Sequence, residues 1–262
     1  MNILDKITAH KRREVEERKK LVSMAELESR PRFKQQPLSL KQFLLDENRT
    51  GVIAEFKRRS PSKGVINSSA TVEEVTGAYA RHGASGISVL TDTEFFGGSL
   101  EDLTAAGFNQ VPLLRKDFMV DEFQVVEAKA YGASVILLIA ACLPPAEVKR
   151  LAAAAKSMGL EVLLELHDET ELDHICDEVD MVGVNNRNLK TFEVSINASL
   201  QLIKKIPASK IAVAESGIND VETIRSLRRA GFRGFLIGEH FMKQPDPAIA
   251  FAHFVKQLKQ SE

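Results

Sequence analysis

A (β/α)8 TIM-barrel fold with an N-terminal helical extension is the class this chain predicts, on three observations. From residue 51 onward, short apolar runs rich in β-branched residues alternate eight times with helical stretches, the pattern of parallel strands joined by crossover helices. Polar residues stand at the C-terminal ends of many of these runs, where a closed barrel gathers its reactive groups. The first run is not followed by the Gly-x-Gly-x-x-Gly of an open dinucleotide-binding sheet.

The elements follow in order. Residues 3–24 have the pattern of a charged amphipathic helix. Its basic run Lys11-Arg12-Arg13 is balanced by Glu14, Glu16 and Glu17 and reads as a solvated face. A linker at 29–37 holds Pro31 and Pro37, and residues 38–45 form a second helix. The extension is thus expected over residues 1–50, packed on a catalytic barrel over 51–262. Strands are predicted at 51–57, 86–90, 111–116, 134–139, 160–166, 181–185, 210–214 and 234–238. Helices are predicted at 72–82, 100–106, 122–131, 146–158, 169–178, 198–206, 221–230 and 247–258. Thr71 with Glu74 has capping-box spacing. Pro144-Pro145 and Asp168 open other helices. Gly83, Gly107, Gly132, Gly159 and Gly231 are placed to end helices in the left-handed conformation.

Composition narrows the function. The 262 residues, 44% of them hydrophobic, suffice for one large barrel. A net charge of −1 gives no general attraction to nucleic acid or acidic membrane. No apolar run approaches the length of a membrane span. The N-terminus lacks the apolar segment of a secretory signal, so a cytoplasmic location is expected. Cys142 and Cys176 lack metal or redox spacing and read as buried free thiols. The six histidines are scattered without zinc-ligand spacing. His167 is taken to face away from Glu165. A metal is not expected.

The strand ends carry the chemistry. The first supplies Glu55 and Lys57, two residues apart and therefore on one face, then Ser60 in a basic loop. The third ends in Lys116, and the fifth carries Glu165 inside an apolar run. The sixth gives Asn185 and Arg187; the seventh gives Glu215, Ser216 and Gly217; the eighth ends in Gly238. Each could be structural alone. Two lysines, three glutamates and an asparagine at one end of a barrel are more polar than folding requires. Such a mixture separates the pKa values of neighbouring groups, so one site can both donate and accept protons. Ser216-Gly217 and Gly238 leave backbone N–H groups open where such barrels bind phosphate, with Ser60 and Lys57 nearby. The predicted partner is a small phosphorylated molecule.

In these segments the chain resembles the indole-3-glycerol phosphate synthase family over essentially its whole length. The resemblance rests on 53–64, 87–92, Phe96-Gly97-Gly98-Ser99, 114–118, 163–166, 183–189, 214–218 and 236–238. It implies closure of 1-(2-carboxyphenylamino)-1-deoxyribulose 5-phosphate to indole-3-glycerol phosphate, with loss of CO2 and water and without a cofactor. On that pattern Lys116 is the general acid at the carbonyl and Glu165 the base for dehydration. Lys57 binds the substrate carboxylate and donates in dehydration. Glu55 orients the lysines and substrate hydroxyls. Asn185 and Arg187 position carboxylate and hydroxyls, and Glu215 with Ser216 lines the site. Ser60, Ser216, Gly217 and Gly238 hold phosphate, while Phe96, Phe118, Leu137 and Leu189 wall the aromatic ring. Glu239 is expected to turn its side chain away from the phosphate. A monomer, with other tryptophan-pathway enzymes as partners, is the expected assembly. The alternatives are a related barrel isomerase, a Schiff-base aldolase acting through Lys116, and a non-catalytic phosphate-binding barrel.

Overall fold

The structure, a computed structural model, describes residues 3–187 and 193–260. Eight parallel strands close a barrel: β1 Val52–Phe56, β2 Gly86–Leu90, β3 Leu113–Lys116, β4 Val135–Ile139, β5 Glu161–Leu166, β6 Met181–Asn185, β7 Ile211–Glu215 and β8 Gly234–Ile237. Neighbours in sequence are neighbours in the sheet. Closure pairs Val52 with Phe235 and Ala54 with Ile237.

The period of two along each strand sorts the side chains into two cores. Outward residues such as Val52, Ala54 and Phe56 join the large cluster beneath the helices. Inward residues Ile53, Leu114, Leu163, Met181 and Val213 fill the barrel interior. Continuing inward along the same strands, apolar gives way to charge: Ile53 to Glu55, Leu114 to Lys116, Leu163 to Glu165, Val213 to Glu215. The interior is therefore a packed apolar floor beneath a polar mouth.

The extension serves both ends. It comprises α1 Ile3–Leu21, α2 Met24–Ser29 and α3 Leu40–Leu45. Leu40 and Leu44 of α3 belong to the interior cluster and close the floor. Ile3, Leu4 and Ile7 of α1 line the cavity at the mouth. The single helix expected over 3–24 is divided because Ser23 and Glu26 form a capping box that starts α2. Lys11 is not on a solvated face: it is fully buried.

The barrel helices are α4 Val72–Arg81, α5 Leu100–Ala106, α6 Glu122–Ala130, α7 Pro145–Ser157, α8 Ile196–Leu202, α9 Val221–Ala230, α10 Glu239–Met242 and α11 Pro247–Lys259. Two expected helices differ. Residues 169–178 form only a 3-10 helix, Glu169–His174, after β5. The stretch 198–206 starts earlier, as α8, and tightens into a 3-10 turn, Ile203–Lys205. Gly107 ends α5 at φ −70°, not left-handed. Its missing side chain instead leaves room for the Arg32 guanidinium, which donates to the carbonyls of Gly107 and Thr104.

Candidate active site

A cavity of about 450 Å³ opens at the C-terminal end of the strands. Glu55, Lys57, Lys116, Glu165, Asn185 and Glu215 all line it. So do Ser60, Phe96, Phe118, Leu137 and Arg187, together with Ser216, Gly217 and Gly238. Leu189 lies outside the described residues.

Two ion-paired groups divide the mouth. On β1, Lys57 Nζ lies 2.7 Å from Glu55 Oε1, and the Ser88 hydroxyl approaches Glu55 Oε2 at 3.4 Å. Gly238 is bare because a Cβ there would sit 2.5 Å from Glu55 Oε1. Across the barrel, Lys116 Nζ lies 3.2 Å from Glu165 Oε2 and 3.8 Å from Glu215 Oε2. Asn185 Nδ2 donates to Glu165 Oε1 at 3.1 Å. Gly183 on β6 has no side chain where the Glu215 carboxylate enters.

The charges set one another's proton affinities. Burial alone would lower Lys116, but Glu165, Glu215 and Glu55 outweigh it and hold the ammonium well above its ordinary value. Burial would raise Glu165; Lys116, then His167 and Asn185, pull it below the usual carboxylate range. Glu215 is pushed up to about 8 by burial and by the Glu165 charge, against the pull of Lys116. Burial and the repulsion between the two carboxylates thus favour one proton held within the Glu165–Glu215 pair beside a charged lysine.

The end of the cavity expected to take phosphate is built from loops. Ser216 at φ 65° and Gly217 at φ 72° turn the chain after β7, and Asn186 Nδ2 donates to the Ser216 carbonyl at 2.8 Å. Ser60 sits in a short hairpin, Arg59–Ser60 against Gly64–Val65. The Glu239 side chain does not turn away. It meets Arg187 at 3.2 Å and Lys63 at 3.7 Å, because two cations at the same rim offer it partners. Phe96 and Phe118 lie with ring centroids 6.1 Å apart along the apolar wall.

Three features escaped the reading of the strand ends. His167 does not face away from Glu165: it is two residues on, shares the inward face, and places Nε2 3.2 Å from Glu165 Oε1. Lys11 lies on the stripe Ile7-Lys11-Val15, whose spacing of four marks one helix face. Its ammonium meets Asp92 at 2.9 Å and Asp117 at 3.1 Å, both fully buried. Asp117 also binds Arg115 at 3.0 Å and the Thr91 hydroxyl at 2.7 Å. It is therefore an internal anchor.

Fold and site together define a (β/α)8 barrel with a buried lysine–carboxylate acid–base array at its mouth. The chain belongs to the indole-3-glycerol phosphate synthase family, whose model matches residues 4–254. It is 46% identical to indole-3-glycerol phosphate synthase of Bacteroides thetaiotaomicron over 259 residues, covering 98% of this chain and 99% of that one. Against the Polaromonas sp. protein of the same name, identity is 45% over 257 residues, covering 96% and 97%. The function is accordingly that of a carboxy-lyase of tryptophan biosynthesis. A mutant tryptophan synthase alpha-subunit from Pyrococcus furiosus superposes with a TM-score of 0.62 at 14% identity, covering 81% of this chain and 98% of that chain. At that identity the likeness is one of fold. Among the described residues no helix is long and apolar enough to cross a membrane.

Proposed function

We propose that this cavity closes the indole ring of 1-(2-carboxyphenylamino)-1-deoxyribulose 5-phosphate, with Lys116 as general acid and Glu165 as general base. The observation carrying this division is the Lys116–Glu165 contact of 3.2 Å between a half-buried ammonium and a buried carboxylate at the mouth. The phosphate binds at Ser60, Ser216, Gly217 and the Gly238 end of β8, and the aromatic ring lies along Phe96, Phe118 and Leu137. Lys57 and Arg187 take the carboxylate and hydroxyls, with Asn185 and Glu55 fixing their orientation.

The protons balance on this assignment. The ring carbon bearing the carboxylate attacks the ribulose carbonyl carbon, and Lys116 protonates the carbonyl oxygen as the bond forms. CO2 leaves with its electron pair returned to the ring, restoring aromaticity. Lys57 protonates the departing hydroxyl as water, and Glu165 accepts the proton released when the indole double bond forms. One proton is consumed overall, matching the carboxylate lost as CO2. Glu165 is a weak base beside an ammonium. Once Lys116 has given up its proton that charge is gone, and Glu165 gains basicity at the step that uses it. The proton it collects then lies one hydrogen bond from the amine that needs it back.

Turnover of this substrate, followed by indole fluorescence, tests the assignment with Lys116→Met beside the wild type. A fall in kcat of about a hundredfold or more is expected for loss of a general acid. Undiminished turnover in the variant overturns it. The reading places a monomeric enzyme in the cytoplasm, with residues 1–50 as an extension of the barrel and not a separate functional domain.

A further inference from the structure

His167 follows β5 and sits between two carboxylates. Nε2 lies 3.2 Å from Glu165 Oε1, and Nδ1 lies 3.5 Å from Glu171 Oε2. Glu171, on the 3-10 helix after β5, is fixed in turn, because its Oε2 accepts the backbone N–H of His167 at 2.7 Å. Glu165 presents its other oxygen to Lys116. Neither ring nitrogen has hydrogen-bond geometry to these oxygens, so the contacts are those of charge: two carboxylates within 3.5 Å of one half-buried imidazole favour its doubly protonated, cationic form. The surroundings agree. Burial would lower the His167 pKa, but Glu165 and Glu171 together carry it up to about 10. Beyond Lys116, the other titratable groups acting on this corner are Glu215 of β7, which shares Lys116 with Glu165, and Cys142 after β4 with Asp5 of α1. The Cys142 thiol is held neutral, pushed up to about 11 by burial.

We propose that His167 is a positioning residue for the catalytic base: an imidazolium, secured by Glu171, that holds the Glu165 carboxylate in place and sets its proton affinity. The proposal deepens the assignment of Glu165 as base and rests on it. Glu165 is thereby bracketed by two cations, Lys116 on one oxygen and His167 on the other. The two have different fates. Lys116 discharges on donating its proton, whereas His167 keeps its charge because Glu171 still neutralises it when Glu165 becomes protonated. The base therefore stays aligned and is released from only one of its two restraining charges.

The test has two readouts. Heteronuclear NMR of the imidazole rings, with His167 assigned by comparison with His167→Gln, follows ring protonation from pH 5 to 9. The His167 ring should remain imidazolium throughout in wild type and should lose its proton within this range in Glu171→Gln. A ring that is neutral at pH 7.5 in wild type overturns the proposal. The second readout is the pH profile of kcat/KM. Removing a cation next to Glu165 lets its pKa rise, so the acidic limb of His167→Gln should move upward by about one unit or more. His167→Lys, which restores a cation, should move it back. An unmoved limb in both variants overturns the proposal and leaves His167 a packing residue. If His167→Gln does not fold, the spectrum of His167→Lys supplies the ring assignment, and the wild-type and Glu171→Gln titrations still decide the pairing. Full turnover in Glu165→Gln overturns the base assignment, and the kinetic half of this proposal with it. The ring titration reports separately on the pairing.

Discussion

Replacing Lys11 by methionine removes the one cation shared by Asp92 and Asp117 while keeping helix propensity and most of the side-chain volume. The cost follows from what remains. Asp117 retains Arg115, the Thr91 hydroxyl and the Phe118 backbone N–H. Asp92 retains the N–H groups of Phe95 and Phe96 on Oδ1, but its Oδ2 has only the Lys11 ion pair. Leaving one partner of a buried pair uncompensated costs about 3–5 kcal/mol. For a chain of this size that is a fall in Tm on the order of 10 °C. Urea unfolding followed by far-UV circular dichroism measures it. The double variant Lys11→Met/Asp92→Asn should recover part of the loss, since the orphaned charge is then gone. A loss under about 1 kcal/mol, or strict additivity in the double variant, refutes the reasoning. The pH dependence adds a signed check. Burial opposes charging of Lys11, but Asp117, Asp92 and Glu14 overcome it and raise its pKa. Its stabilisation is thus whole below the unfolded value near ~10.4 and fades as pH rises through the folded one. Burial would raise Asp117, but Lys11 and Arg115 depress it. Its share is whole above the unfolded value near ~3.9 and fades as pH falls through the folded one. The difference between wild type and variant should therefore be flat from mildly acidic to mildly alkaline pH and shrink at both ends.

Two further outcomes follow from the site. Gly183→Ala places a methyl group on the Glu215 carboxylate; it should cost about 1–3 kcal/mol of stability and lower kcat/KM, and an unchanged kcat/KM would show that Glu215 is not needed where it lies. Deleting residues 61–64, which carry the hairpin turn beside Ser60, should raise KM and lower kcat together, whereas an unchanged KM rules out a substrate-holding role for that loop.

The barrel was legible because its signal is redundant. A short apolar run followed by a helical stretch recurs eight times, and four of the five glycines expected to reverse a helix end have positive φ. The fifth, Gly107, has the same sequence context, but contact with Arg32 of the distant extension determines it. The expected helix at 169–178 shortened for a related reason. Glu171 is drawn back to the His167 backbone and His174 reaches the carbonyl of Leu143, 31 residues away, a tertiary bond that local propensity does not encode. In the site, residues at strand ends were readable because their positions follow from the strand register. His167 was equally readable by that rule: residues 165 and 167 share a face. Lys11 stood on the apolar stripe Ile7-Lys11-Val15, yet a lysine flanked by charged neighbours resembles a solvated one until its buried partners are known. Those partners, Asp92 and Asp117, lie 81 and 106 residues away.

The Lys11 cluster also explains why the extension and the mouth of the barrel form one unit. Asp92 accepts the backbone N–H groups of Phe95 and Phe96. Asp117 accepts that of Phe118 and directly follows Lys116. Both aromatic rings that wall the cavity, and the proposed acid itself, are thus carried on turns whose anchoring carboxylates are neutralised from α1. At the opposite end, Leu40 and Leu44 of α3 pack into the barrel interior beneath Ile53 and Val213. Placing a buried lysine on the extension, rather than a second arginine on the barrel, makes completion of the mouth conditional on α1 being in place. Chains that have folded the barrel but not the extension would leave Asp92 without its cation and Asp117 with Arg115 alone, weakening the turns that carry Phe96 and Lys116.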